Sequence, residues 1–287
     1  MGTMTEKGCN ISRDLEDVKP LQEIERSIIT RFRKRIWSSF TKAVKDFKLV
    51  EEGDRIAVAV SGGKDSTLMA KLFQELQRHG NVSFELEFIC ADPGYHDSIR
   101  KLMLENCSYL NIPLKVFDSN IFAITDKIAK DYPCYMCAKM RRGALYSKAT
   151  ELGCNKLALG HHYDDVIETT LMNLLYTGSI KTMLPKLKSQ NFQGVELIRP
   201  LYYIEERYIG EFTDYAGIMP LNCACMVAAE RIGNKRYEVK DLIEQLKGSI
   251  QGVDKSIFRA VQNINLDAVL GWNQNGKTFS YLDFYDE

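Results

Sequence analysis

Short apolar runs alternate with helical patterns through the middle of the chain, and this alternation limits the fold more than any other feature of the sequence. The first run, residues 56–60, is typical of a strand buried on both faces and leads through a glycine turn into a helical pattern. Strands that alternate with helices form βαβ units, so we expect an α/β fold in which a parallel sheet carries helices on both faces. Further strands are predicted over 84–91, 114–117, 156–159 and 195–198, and helices over 65–78, 97–110, 137–152 and 164–176.

A basic amphipathic pattern precedes the first strand. Between Arg26 and Lys48 the chain has eight Lys or Arg residues and one acid, Asp46. This charge pattern is typical either of a solvated helix face or of a surface that binds the phosphate backbone of a nucleic acid. Apolar residues recur on the other side of the same predicted helix, mostly four apart, at Ile24, Ile28, Phe32, Ile36, Phe40, Val44 and Phe47.

The patterns divide the 287 residues into three regions. We expect a helical N-terminal segment over 1–50, an α/β domain over 51–220 and a helical C-terminal segment over 221–287, with no regular pattern after 271. The 38 basic residues balance the 38 acidic ones, so a polyanion would have to bind a local cationic surface. No stretch is apolar enough to span a membrane and the N-terminus is polar, which favours a cytoplasmic location with reduced thiols.

The glycine turn after the first strand has the composition of a phosphate-binding loop. Its sequence is Ser61-Gly62-Gly63-Lys64-Asp65-Ser66, directly between the strand and the next helix. Glycines let backbone N–H groups approach an anion, the helix N-terminus contributes partial positive charge, and the lysine adds a full charge. The spacing is not that of a Walker motif. We therefore predict a site for a phosphate chain, whereas the alternative is a simple turn with an exposed lysine.

A second polar cluster, Gly160-His161-His162-Tyr163-Asp164-Asp165, follows the strand predicted over 156–159. The carboxyl ends of parallel strands meet at the edge where ligands bind, and adjacent carboxylates can hold Mg²⁺. Alternatively, Asp164 caps the following helix, and the two histidines pack at the strand end. Asp92 follows another strand and is expected at the same edge, unless it only forms a turn. Glu168, one helical turn after the carboxylate pair, could reach the same side.

Paired cysteines indicate a metal centre or thiol chemistry. Cys134 and Cys137 are one helical turn apart, and Cys223 and Cys225 form a second pair. A CxxC pair alone is compatible with a redox pair, half of a zinc site or part of an iron–sulfur site. Cations beside thiols favour the thiolate and also favour RNA phosphate, with a solvated helix face as the alternative. The cations that directly follow the first pair are Lys139, Arg141 and Arg142.

These motifs resemble those of a known family. The loop hexapeptide resembles that of the PP-loop ATP pyrophosphatase superfamily, and the block over 133–178 is similar to the tRNA 2-thiocytidine synthetase family. The similarity covers roughly residues 22–232 and includes the blocks at 47–56, 184–187 and 198–201. The chain departs from the family pattern at Cys223-Ala224-Cys225, where many relatives have a wider cysteine pair followed by Gly-Ser. Glu168 stands where some members have Gln.

The resemblance implies a fold, a reaction and a set of cofactors. The fold would be that of the adenine nucleotide alpha-hydrolases, and ATP would adenylate the C2 oxygen of a cytidine in a tRNA anticodon loop before sulfur displaces AMP. The implied cofactors besides ATP are Mg²⁺ and a 4Fe-4S cluster, whose ligands map to Cys134, Cys137 and either Cys225 or Cys223. The implied partners are tRNA and a sulfur donor, which is a cysteine desulfurase persulfide or inorganic sulfide. A homodimer is left open.

The residues of both polar clusters receive specific roles in this interpretation. Lys64, Asp65 and Asp165 are the predicted catalytic residues. The predicted ATP contacts are Ser61, Gly62, Gly63, Lys64, Asp65, Ser66, Asp92, Gly160, His161 and Asp164. The predicted RNA contacts are Arg33, Lys34, Arg35, Lys139, Arg141 and Arg142.

Other functions compete with the thiolation of cytidine. One is a PP-loop tRNA thiolase that acts on a different base. Another is a sulfonucleotide reductase, which would use the cysteines without ATP hydrolysis, although the carboxylate pair and the basic helix argue against it. An RNA-binding or iron–sulfur sensing module would keep the pocket without turnover. Lysidine synthesis is the last alternative, and its chemistry requires no cysteines.

Overall fold

The apolar runs of the sequence form a six-stranded sheet. The computed structural model describes residues 18–119, 121, 133–221 and 235–285. The chain divides into two units, the first spanning Met1–Asp165 and Leu184–Gly233 and the second spanning Val166–Met183 and Asn234–Glu287. The sheet lies in the first unit, and its strands are β1 (Arg55–Ala59), β2 (Glu85–Asp92), β3 (Leu114–Asp118), β4 (Lys156–Ala158), β5 (Lys186–Lys188) and β6 (Glu196–Ile198).

The sheet is mostly parallel, as the alternation of strands and helices predicts. Its spatial order is β3-β2-β1-β4-β6-β5, and within it only β5 runs antiparallel to its described neighbour. The register pairs Val58 of β1 with Phe88 of β2 and with Ala158 of β4. Strand β1 has β2 as its neighbour on one side and β4 on the other, and both neighbours run parallel to it. The carboxyl ends of these three strands therefore lie at the same edge of the sheet, which is where such sheets bind ligands. The predicted α/β architecture is confirmed.

Helices connect the strands at nearly the predicted positions. Each helix predicted between 65 and 176 is present, with ends that differ from the prediction by at most four residues. A helix over Glu206–Ala216 and the short strand β5 were not predicted. None of the described helices is long and apolar enough to cross a bilayer. The helices up to Ala216 are α1 (Leu21–Ile29), α2 (Ser38–Asp46), α3 (Lys64–His79), α4 (Asp97–Tyr109), α5 (Pro133–Glu151), α6 (Tyr163–Thr177) and α7 (Glu206–Ala216).

Helix α5 packs directly on the sheet. Leu145 and Ala149 of this helix are buried in one cluster with Ala57, Leu157 and Leu197 of the three central strands. Burial of a leucine-sized side chain contributes about 1.5–3 kcal/mol, so several such contacts hold the helix firmly. The packing therefore fixes the helix that carries the first cysteine pair against the strands that carry the glycine loop.

The basic N-terminal segment is two helices joined by a π-helical turn at Arg33–Trp37, where the sequence predicts one continuous helix. Its apolar residues recur four apart, whereas an α-helix completes a turn about every 3.6 residues, so a continuous helix would rotate part of the apolar stripe away from the core. The wider π-helical turn corrects this drift. All eight cations between Arg26 and Lys48 are exposed. The residues buried on the opposite side are Ile24, Ile28, Phe32, Ile36 and Phe40.

The second unit includes most of α6, from Val166 onward, together with two further helices and a β-hairpin. The further elements are α8 (Lys235–Ser249), α9 (Val253–Ala260), β7 (Gly271–Gln274) and β8 (Lys277–Ser280). The hairpin lies where the sequence predicts no regular pattern. Its turn residues Asn275 and Gly276 both have positive φ, which a type I′ turn requires. Trp272 and Phe279 stack across the two strands with ring centroids 5.3 Å apart.

Phe40 anchors the basic segment, because its fully buried ring meets Phe73 of α3 edge-on with centroids 5.7 Å apart. Phe40→Ala should lower the free energy of unfolding by about 3–5 kcal/mol, since it removes a buried ring and leaves a cavity. Urea unfolding followed by circular dichroism measures this change. Lys45→Ala, at an exposed position of α2, should change the same free energy by less than about 0.5 kcal/mol. Equal effects of the two substitutions would contradict this packing.

Candidate active site

The predicted phosphate-binding loop lies between the end of β1 and the start of α3. Gly62 has a φ of 81°, a conformation that residues with a Cβ rarely adopt. The hydroxyl of Ser66 braces the loop from within, because it accepts from the Ser61 backbone N–H at 3.1 Å and lies 3.0 Å from the carbonyl of Gly63, to which it donates. The loop is therefore held in a fixed shape at the positive end of a long helix.

The ammonium group of Lys64 lies between two carboxylates. Its Nζ is 3.0 Å from Oδ1 of Asp65 and 3.0 Å from Oε1 of Glu206, the first residue of α7. Burial lowers the pKa of Lys64, but the two carboxylates outweigh this effect and raise the pKa above its ordinary value. Lys64 is therefore a cation at neutral pH, at the point where the loop is expected to hold phosphates.

Gly160 brings the end of β4 close to the same loop. A Cβ at this position would lie 3.3 Å from the carbonyl carbon of Asp65 and 3.3 Å from the amide nitrogen of Ser66. Such contacts are tighter than most real Cβ contacts, and both partners are backbone atoms that cannot move aside cheaply. Glycine therefore permits the second polar cluster to meet the phosphate-binding loop.

A cavity of about 210 Å³ lies at this meeting point. Its lining combines hydroxyls, a carboxylate and an imidazole with small or aliphatic side chains. A lining of this mixed kind beside a glycine loop suits a nucleotide, since apolar side chains accept a base and the loop accepts phosphates. The predicted nucleotide residues that line the cavity are Ser61, Asp65, Ser66, Gly160 and His161, and the apolar lining is Ala59, Val60, Cys90, Ala91, Leu145 and Leu159.

His162 lies among three carboxylates of the predicted clusters. Its side chain is buried, and its ring nitrogens lie between 3.6 and 3.9 Å from carboxylate oxygens of Asp65, Asp164 and Asp165. Asp165 accepts a hydrogen bond from the backbone N–H of His162 at 2.9 Å. Asp164 accepts one from the backbone N–H of Glu206 at 2.6 Å, so it caps α7. Within the described ranges, no three His, Cys, Asp or Glu side chains lie close enough to hold a metal ion.

The end of β2 contributes two buried residues. The Oδ1 atom of Asp92 accepts from the backbone N–H groups of Gly94 at 2.9 Å and Tyr95 at 2.8 Å, which is the turn-forming arrangement. The nucleotide contact of Asp92 stays a prediction. Cys90 lines the cavity, and burial raises the pKa of its thiol to about 12. Cys90 is therefore a neutral part of the cavity wall.

Arg141 joins the cavity to the first cysteine pair. Its side chain lines the cavity, and its Nη2 donates a hydrogen bond to Sγ of Cys137 at 3.9 Å. Cys137 is half-buried, one helical turn earlier on α5. A guanidinium offsets the charge of a thiolate, the form in which cysteine binds metals. The surroundings of Cys137 therefore fit a metal ligand beside the nucleotide cavity.

The other cysteines of the predicted cluster have no described side chain. Cys134 lies in α5, three residues before Cys137, and Cys223 and Cys225 lie outside the described residues. The assignment of the third ligand stays a prediction.

The predicted RNA contacts lie on two helical elements of the first unit. Lys139 and Arg142 are exposed on α5, and Arg33, Lys34 and Arg35 are exposed in the π-helical turn. Arg35 also lies over the ring of Tyr208, 5.1 Å from its centroid. Arg141 differs from these residues because its side chain lines the cavity. The RNA contacts stay predictions.

Glu206 was not predicted from the sequence, because α7 was not predicted. The signal for this helix was present, since Tyr208, Ile209, Phe212 and Ala216 are buried at helical spacing. Nothing in that spacing, however, indicates that the first turn meets Lys64. Glu168, a candidate from the sequence for the carboxylate cluster, is buried in the second unit and pairs with Arg236 at 2.6 Å.

Comparisons with known proteins agree with this geometry. A family model described as a PP-loop domain matches residues 32–219. The tRNA-cytidine(32) 2-sulfurtransferase of Syntrophotalea carbinolica is 40% identical over 80% of this chain and 90% of its own length. The enzyme of the same name from Vibrio cholerae serotype O1 strain M66-2 is 36% identical over 85% of this chain and 78% of its own. Among solved structures, the U34-tRNA thiolase from Methanococcus maripaludis with its 4Fe-4S cluster has a TM-score of 0.61 and 25% identity, and covers 79% of each chain.

The parallel sheet, the glycine loop at its edge and the matching domain define a PP-loop protein. The relatives narrow this class further, since they are similar over most of both chains. The chain belongs to the family of tRNA-cytidine(32) 2-sulfurtransferases, which confirms the family that its sequence motifs resemble.

Glu206 should compete with bound phosphate for Lys64. Glu206→Gln removes one negative charge beside this lysine, so the variant should bind ATP about fivefold more tightly without divalent cations, which corresponds to about 1 kcal/mol for a partly exposed ion pair. Isothermal titration calorimetry in EDTA measures the affinity. Glu205→Gln is the matched control, because Glu205 pairs with Arg207 at 2.8 Å and should not affect ATP. Weaker binding by Glu206→Gln would mean that Glu206 is needed to position Lys64.

Proposed function

We propose that this protein is an ATP-dependent tRNA sulfurtransferase that converts a cytidine of the anticodon loop into 2-thiocytidine. In the first step the C2 oxygen of the base bonds to the α-phosphorus of ATP, and pyrophosphate leaves with the electrons of the broken bond. In the second step a sulfur nucleophile bonds to C2, and AMP leaves with the former C2 oxygen. The observation that carries this proposal is the hydrogen bond between Arg141, in the nucleotide cavity, and the thiol of Cys137.

The substrate is proposed from the relatives. The curated relatives are named tRNA-cytidine(32) 2-sulfurtransferases, and the solved thiolase acts on tRNA at U34. These names support tRNA as the partner and cytidine as the base. The chemistry explains why ATP is needed, because an oxide is a poor leaving group at C2 and a phosphate ester is a better one.

The first polar cluster would bind the triphosphate. Backbone N–H groups of Gly62 and Gly63 and the ammonium of Lys64 are suited to the phosphates that leave as pyrophosphate. Carboxylate oxygens are the ligands that Mg²⁺ prefers, and we propose Asp65 and Asp165 for this role. The neighbouring His162 lies within 4 Å of both carboxylates, at 3.9 Å and 3.6 Å. It would thus keep them oriented toward the cavity.

The cysteines would hold a 4Fe-4S cluster. Cys137, with its guanidinium neighbour, fits a thiolate ligand, and we propose Cys134 and either Cys225 or Cys223 as the other two ligands. When bound, a cluster with three protein ligands supplies an open iron position at which sulfur can bind. This chain's part would be to keep that position beside the nucleotide, which the packing of α5 on the sheet supports.

The tRNA would bind over exposed cations of the first unit. Arg33, Lys34 and Arg35 of the π-helical turn and Lys139 and Arg142 of α5 are suited to backbone phosphates, and such binding weakens as salt is added. We propose as well that the sulfur donor is a cysteine desulfurase persulfide or inorganic sulfide. The same proposal includes a homodimer and a cytoplasmic location.

Product analysis of anaerobic reactions tests this function. Protein reconstituted with iron and sulfide should form AMP and pyrophosphate from ATP only when tRNA is present, and mass spectrometry of digested tRNA should find 2-thiocytidine. Cys137→Ala should abolish the thionucleoside and the visible absorption of the cluster. Cys107→Ala should retain both, because Cys107 is a buried cysteine outside the site. Appearance of 2-thiouridine would assign a different base, and AMP formation without tRNA would contradict the proposal.

A further inference from the structure

The side chain of Arg141 has a buried hydrogen-bond donor that no described group accepts. Its Nη2 donates to Cys137, but its Nε is buried and has no hydrogen-bond partner within the described residues. A buried donor without an acceptor costs about 1–3 kcal/mol, so native proteins rarely keep one without a reason. An acceptor supplied by a ligand would remove this cost.

Two other arginines have a similar Nε atom but do not line this cavity. Nε of Arg55 and of Arg199 is also buried without a described hydrogen-bond partner. However, Arg55 faces the carboxylate of Glu85 at 3.4 Å, and Arg199 donates through Nη1 to the carbonyl of Leu184. Neither residue lines the cavity between the loop and β4, whereas Arg141 does. Arg141 is thus the one of these three arginines that lines the cavity where a ligand is expected.

The lining of the cavity indicates which part of a ligand Arg141 meets. Ala59, Cys90 and Leu159 give an apolar wall for a base, while Ser61 and Ser66 belong to the loop that receives phosphates. A guanidinium is a planar fork of N–H donors that matches the oxygens of a phosphate and cannot pair with an apolar wall. The α-phosphate links a base on the apolar wall to the phosphates on the loop, so it is the phosphate expected beside a guanidinium in this lining.

We propose that Arg141 binds the α-phosphate of the nucleotide and holds it beside Cys137. This inference rests on the proposed function, since it assumes that the cavity holds a nucleotide. It gives Arg141 a ligand different from that of its neighbour Arg142, which is exposed and suited to RNA. The same guanidinium then touches the AMP moiety and the thiol, so it keeps the phosphate in place after pyrophosphate has left the loop.

Calorimetric titration with two small probes, AMP and adenosine, tests this contact. Arg141→Gln should weaken AMP binding about tenfold or more, because it removes a charge-assisted hydrogen bond to phosphate, and should leave adenosine binding within about twofold of the wild type. The AMP affinity of Arg141→Lys should lie between those of Arg141→Gln and the wild type, since an ammonium is a point charge that cannot bridge phosphate and thiol. Lys148→Gln, on the same helix but outside the cavity lining, should leave both affinities unchanged.

The titration with adenosine also shows whether the variant still forms the nucleotide cavity. Unchanged AMP binding by Arg141→Gln would overturn the inference, and so would an equal loss of AMP and adenosine, because Arg141 would then support the pocket rather than the phosphate. A loss of tRNA affinity with AMP binding intact would assign the side chain to RNA and would overturn it as well. None of these results affects the proposed function, which depends on tRNA-dependent AMP formation and thiolation by the wild-type protein.

Discussion

The parallel register of β1 with β2 and β4 is the constraint on which the rest of the site depends. It brings the end of β1, with its glycine loop, beside the ends of two strands that are far apart in the sequence. Gly160 then allows β4 to approach the backbone of Asp65 and Ser66 at a distance that a larger residue would disturb. The nucleotide cavity is the space that remains between these strand ends. Because α5 packs on the same strands, its position relative to the loop follows from the same register.

Charge is distributed unevenly around this edge. Lys64 is shared by Asp65 and Glu206, and His162 lies among three carboxylates, so the loop side of the cavity has several groups that can exchange partners when phosphates and a cation arrive. The other side has Arg141 and the thiol of Cys137. The thiols of Cys90 and Cys107 are different, since burial raises the pKa of each to about 12 and keeps them neutral. Cys137 differs from these two cysteines because it is only half-buried and its sulfur accepts a hydrogen bond from Arg141.

Much of the fold could be predicted from the sequence, because it depends on local patterns. The strand of residues 56–60, the glycine loop and the helices between 65 and 176 follow from periodicity and glycine placement. The π-helical turn at Arg33–Trp37 was not predicted, because apolar residues four apart look like one face of a single helix. An α-helix has 3.6 residues per turn, so this spacing stays on one face only over a few turns. The hairpin after residue 271 had a signal in Asn275-Gly276, but the flanking residues do not alternate clearly.

The residue types of the site could be predicted from the sequence, but the contacts between those residues could not. Loop, carboxylates and cysteines were identified from their spacing, whereas the Lys64–Glu206 pair joins residues 142 positions apart and depends on tertiary structure alone. The same holds for Arg141, whose sequence context beside Lys139 and Arg142 suggests RNA although its side chain lines the nucleotide cavity. Adjacent residues on a helix point in different directions, so cations that are neighbours in the sequence can bind different ligands.

The proposed function requires one edge of the sheet to bring the nucleotide and the cysteine cluster together. An anaerobic crystal structure of the reconstituted protein with bound AMP would show whether it does. We expect AMP in the cavity lined by Ser61, Ser66 and His161, with its phosphate and Sγ of Cys137 both hydrogen-bonded to the guanidinium of Arg141. AMP bound elsewhere, or a cluster whose cysteines face away from this cavity, would contradict it.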